Sequence, residues 1–133
     1  MTGLITNDGD VVIANMAFVG ADANRGSSLQ LGLFTNASVA KSTELASITE
    51  PTGGGYARIT LADASWTTTS GIAAYAEQTF TATLSDYTGT IYGYFLATTG
   101  ATPKLLAIEV DPSGSFTMLQ NDTYKITPNI AVS

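Results

Sequence analysis

The sequence predicts an all-β domain, a β-sandwich or jelly-roll-like fold of about seven strands with a short N-terminal helix or arm. Three observations predict it. Short apolar–polar alternations recur roughly every ten residues, each bounded by Gly, Pro, Asn or Asp. Thr, which is β-branched and fits either face of a strand, supplies 21 of the 133 residues. No internal repeat, heptad or shift in composition marks a second domain, and a chain of this length can bury a core unaided.

The first element is open between two readings. Thr6 or Asn7 fits a helix N-cap, with Asp8 and Asp10 in the first turn and Val12 and Met16 on one face. The β-branched run Val11-Val12-Ile13 equally begins a strand. The helix is the preferred reading, and residues 20–28 follow as a polar loop. Residues 1–28 thus form an N-terminal arm, or helix and loop, within the same domain as the β-sandwich of residues 29–133.

The first clear strand spans residues 28–35, where Leu29, Leu31 and Leu33 alternate with Gln30, Gly32 and Phe34. Residues 36–55 form a long connection carrying Pro51 and the triplet Gly53-Gly54-Gly55, with a short strand expected around 47–49. Tyr56 to Leu61 reads as a strand with Tyr56 and Arg58 on one face. Trp66 and the β-prone Thr67-Thr68-Thr69 come next. Residues 78–82 alternate around Phe80, and Asp86-Tyr87-Thr88-Gly89 is a turn. Residues 91–97 are the most strongly β stretch. In 104–110, Leu106, Ile108 and Val110 alternate with Leu105, Ala107 and Glu109. Asp111-Pro112-Ser113-Gly114 predicts a hairpin loop, with the return strand starting at Phe116. In 122–132, Tyr124, Ile126, Ile130 and Val132 share a parity, and Pro128 predicts an edge or a break.

Charge and composition exclude several classes of function. The net charge is −6, and charged residues are 12% of the chain, about half the usual ~25%. Lys41, Lys104, Lys125, Arg25 and Arg58 are scattered, so neither nucleic acid nor an anionic membrane is an expected partner. No apolar stretch approaches the ~18 residues of a transmembrane helix. Residues 1–8 lack the basic start and apolar run of a signal peptide. There is no Cys and no His, which removes disulfides, thiolates, the commonest general base and the commonest metal ligand.

What remains gives no catalytic site. Most of the eleven acidic residues lie in turns, where Asp serves local hydrogen bonding. Asn7-Asp8-Gly9-Asp10 lacks the spacing and distal Glu of a calcium loop. No Lys-Ser or Lys-Thr follows Gly53-Gly54-Gly55, so the triplet reads as a flexible turn and not a phosphate loop. The sequons Asn36-Ala37-Ser38 and Asn121-Asp122-Thr123 read as loop asparagines. Tyr92, Tyr94 and Phe95, with Trp66 and Tyr75, could build an aromatic platform for a glycan. The preferred reading places them in the core or in subunit contacts, with Tyr92 and Tyr94 on one face of their strand and Phe95 on the other. Tyr92, Tyr94 and Trp66 are the candidate assembly contacts. No catalytic, cofactor-binding or metal-binding residue is expected, and no cofactor.

Four stretches carry a resemblance. They are Leu31-Gly32-Leu33-Phe34-Thr35-Asn36, Gly54 to Leu61 followed by Trp66, Tyr92-Gly93-Tyr94-Phe95-Leu96, and Tyr124-Lys125-Ile126-Thr127-Pro128-Asn129-Ile130. Together they resemble small virion-associated proteins encoded in the structural gene clusters of tailed bacteriophages, from about residue 29 to the end. The resemblance implies a compact β domain in the virion, made in the host cytoplasm and free of catalytic residues. It implies a capsid decoration (cement) protein, or else an accessory tail or fibre module recognising a host glycan. The implied partners are other copies of the chain, as a dimer or trimer, and the major capsid protein.

Overall fold

The computed structural model describes residues 3–132. Among the described residues, ten strands pair antiparallel, and one short α-helix lies near the N-terminus. In chain order these are β1 (Leu4–Ile5), α1 (Asn7–Ala14), β2 (Ser28–Phe34), β3 (Ile59–Ala62), β4 (Thr67–Thr69) and β5 (Ile72–Ala74). Then come β6 (Gln78–Thr81), β7 (Gly93–Thr98), β8 (Leu105–Val110), β9 (Thr123–Ile126) and β10 (Asn129–Ala131). A five-stranded sheet in the order β1-β8-β7-β2-β3 is the backbone of the fold. A three-stranded sheet, β10-β5-β4, and the ribbon β6-β9 accompany it.

The central strands are apolar on both sides because both faces of the main sheet are covered. Leu31, Leu33, Leu61, Tyr94 and Leu96 join the larger core cluster, to which β6, β9 and β10 add Phe80, Ile126 and Ile130. Phe34, Phe95, Ala97, Leu105 and Ile108 form a second cluster. The connection after β2 closes over this second cluster with Val39, Leu45 and Ile48. Gly32 faces Phe95 across the sheet, and a Cβ there would lie 2.4 Å from the ring. A small residue at this position is what lets Phe95 lie flat against the sheet.

Several elements depart from the expected pattern. Residues 45–47 form a single 3-10 turn, so the strand expected around 47–49 is absent. Phe116 makes one isolated bridge to Ile91 and does not return against β8. The loop before it is a closed turn, with Gly114 N–H donating to the Asp111 carbonyl at 3.0 Å. In β8 the simple alternation fails because Leu96 pairs with Ala107 while Ala97 pairs with Leu105. The extra residue is a β-bulge, which reverses which side chains face which cluster. Leu106 and Ala107 therefore enter the larger core, and Leu105 and Ile108 the smaller. Pro128 falls at the break between β9 and β10, where its carbonyl accepts from Tyr75 N–H.

The ambiguous N-terminal segment is helical. Thr6 is the N-cap, its Oγ1 accepting from Gly9 N–H at 3.0 Å, and Asp8 and Asp10 occupy the first turn. Thr6 Oγ1 also donates to the Leu105 carbonyl, which ties the helix start to β8. From Asn15 to Val19 the helix widens into a π-turn that ends at Gly20, with φ of 83°. Asn15 Nδ2 donates to Asp22 at 2.7 Å and holds the exit loop.

Candidate functional site: an apolar pocket beside the helix

The helix does not lie flat on the sheet along its whole length. Val12 is buried in the core, but from Met16 onward the chain leaves an open pocket of about 480 Å³. That is the size range of small-ligand and side-chain-accepting cavities. Leu29, Leu96 and Leu106 of the main sheet supply its apolar floor. Ile5 and Ile130 add to it from β1 and β10. Val12, Ile13, Met16 and Ala17 line it from the helix, and Trp66, Ala73 and Val132 from the small sheet and its approach. Arg25 and Asp63 add the charged part, paired at 2.6 Å.

Large apolar residues stand exposed beside this opening. Phe18 is 90% exposed and Val19 75%, both in the π-turn directly after Met16 and Ala17. Val132, a lining residue, is half exposed. Residues 11–21 contain no charged side chain. A second apolar spot, Leu84 and Leu119, comes from loops that contribute nothing to the pocket lining.

The three aromatic candidates from the sequence are not brought together. Tyr94 is 1% exposed in the larger cluster, while Tyr92 packs against the smaller one. The expectation that they share a face fails because Tyr92 lies just before β7 begins, outside its alternation. Trp66 lines the pocket and packs edge-on against Tyr75 at 5.1 Å between ring centroids. Its buried Nε1 finds no hydrogen-bond partner among the described residues. Phe18, the most exposed aromatic side chain at the pocket, was not singled out from the sequence. The only signal was its place in a charge-free run behind a capped helix.

Glu109, Glu50 and Asp111 are structural anchors, each bound to a tyrosine hydroxyl. Glu109, in β8, accepts from Tyr94 Oη at 2.5 Å. Burial pushes its carboxyl above the ordinary range, against the hydrogen bond that lowers it. Glu50 accepts from Tyr56 Oη at 2.7 Å and from Arg58 at 2.9 and 3.0 Å. There burial opposes the charge, but the Arg58 and Tyr56 hydrogen bonds outweigh it and hold the carboxyl low. Asp111 accepts from Tyr124 Oη at 2.7 Å. Burial raises the Tyr56, Tyr94 and Tyr124 hydroxyls far above their usual range. Among the described residues, no three acidic side chains gather as a metal-binding group.

Gly53, Gly54 and Gly55 all have positive φ, between 60° and 78°. The turn is tied down, since the Gly54 carbonyl accepts from Thr83 N–H at 3.0 Å and Gly54 N–H donates to Ser85 Oγ at 3.1 Å. The triplet is a turn, as expected, with Gly54 hydrogen-bonded to the 83–85 segment.

No protein-family model matches this sequence, and comparison with curated proteins finds no significant match. Among the described residues, no helix is long and apolar enough to cross a membrane.

Proposed function

We propose that this chain is a non-enzymatic structural protein of a tailed-phage particle, a decoration protein that binds the head and stabilises it. The observation that carries the assembly part is the apolar surface around the pocket. A Phe left 90% exposed forgoes about 1.5–3 kcal/mol of burial. Contiguous exposed apolar surface of this kind marks an interaction site. The second apolar spot, Leu84 and Leu119, gives the surface another contact built from other segments. A decoration protein needs such separation, because it touches both its own copies and the shell.

The placement in a phage head rests on the sequence resemblance. The charge-poor surface fits it, since a surface buried in contacts needs few charges. The phenol-bound carboxylates serve the fold in this reading. A glycan-binding tail module is less well supported, because Tyr94 is buried in the larger cluster and Tyr92 packs against the other one, so the three rings form no shared exposed platform. Co-sedimentation with undecorated shells, and separately with isolated tails, tests the proposal. Saturable binding to shells at copy numbers near those of the capsid subunit is the expected result. Binding to tails alone, or to neither, would contradict it.

A further inference from the structure

We infer that the pocket beside the helix receives Phe18 from a second copy of this chain, in a two-fold dimer in which each copy fills the other's pocket. The inference rests on the assembly reading above and names the partner and the contact.

The knob and the hole lie on one patch. Met16 and Ala17 line the pocket, and Phe18 and Val19 project from the next residues of the same π-turn. A two-fold interface presents the same patch on both subunits, so residue i meets residue j and j meets i. A patch carrying both a protruding phenyl group and an apolar cavity satisfies that condition by itself. The cavity, at about 480 Å³, has room for a phenyl ring together with part of Val19.

Charge permits a second copy at this patch. Each chain carries −6, so copies repel except where the contact is neutral. Residues 11–21 are uncharged, and the Arg25–Asp63 pair offers one charge of each sign. Two such pairs related by a two-fold axis can each meet their opposite. Area points the same way. One exposed phenyl side chain offers about 150–200 Å². Val19, Met16 and Val132, also exposed, add to it on both copies, toward the ~1,000 Å² that a specific interface needs.

Trp66 is the only tryptophan and lines the pocket, so its emission reports occupancy. The test is sedimentation equilibrium of the purified chain over a dilution series, with Trp66 fluorescence followed across the same concentrations. The expected result is a monomer–dimer equilibrium, with Trp66 emission moving red on dilution at the same midpoint. Phe18→Ala should raise the dissociation constant at least about thirty-fold, as for a buried interface anchor. Leu84→Ala, outside the pocket, should leave the equilibrium unchanged. A monomer at every concentration, a trimer, or a dimer that F18A leaves intact would overturn the inference. These measurements use the protein alone. Shell binding without dimerisation would sink the Phe18 contact and keep the decoration reading, and the converse would do the reverse.

Discussion

Glu109 and Glu50 show how the same residue type is held in two ways, with opposite consequences for pH. Glu109 sits in the central sheet, where burial raises its carboxyl above the ordinary range and Tyr94 is its donor. A carboxyl with a raised folded pKa binds its proton more tightly in the native state. Its contribution is therefore best in acid, and stability falls as pH climbs through the raised value. Glu109→Gln should be more stable than the wild type at pH 7, with the advantage fading below about pH 4, near the ordinary glutamate value. Urea unfolding at the two pH values checks this. Glu50 is the reverse case. Arg58 and Tyr56 hold its carboxyl low, so its stabilisation is present above the ordinary range and lost as pH falls through the lowered value. Arg58→Met keeps the aliphatic stem but strands a partly buried carboxylate. A loss of about 1–3 kcal/mol is expected at neutral pH, the scale of a charged hydrogen bond. That loss should shrink in acid as Glu50 is protonated.

Among the elements, helix α1 gives the sharpest contest between two effects. Gly9 lies in its first turns, where Ala would be favoured by about 1 kcal/mol on propensity alone. A Cβ at Gly9, however, would sit 2.1 Å from the Leu106 carbonyl oxygen, a backbone atom of β8 that has little room to yield. The clash should win, and Gly9→Ala should destabilise the fold by about 1–3 kcal/mol, the range of overpacked sites. Equilibrium unfolding of the variant decides the sign. The helix also shows what could be read in advance. Its cap at Thr6 and its acidic first turn were legible, and they prevailed over the β-branched run Val11-Val12-Ile13. Strands β2, β7 and the first part of β9 were legible because their alternation or β-propensity is strong. The bulge in β8 was hidden, because one extra residue leaves no mark in an apolar run. The hairpin joining β4 and β5 was missed, although Ser-Gly is a turn dipeptide, and Ser70 and Gly71, with φ of 50° and 77°, take the positive φ that a two-residue hairpin turn requires. The pocket itself was illegible, since its walls come from residues as far apart as Ile5 and Val132.

At the scale of the molecule, a charge-poor all-β domain exposes large apolar side chains beside the helix and, from other segments, at Leu84 and Leu119, while Glu50 and Glu109 are anchored to tyrosines. In the proposed dimer the helix-side residues are covered by a second copy, and Leu84 and Leu119 stay available to a different partner. A protein that binds the native shell and not its disrupted form stabilises the shell by mass action. The most direct measurement is therefore the disruption temperature of undecorated shells, followed by light scattering, with and without a saturating excess of the folded chain. A decoration protein should raise the disruption temperature, with the rise growing with occupancy until the sites are filled. An unchanged disruption temperature at saturating protein would contradict the decoration reading.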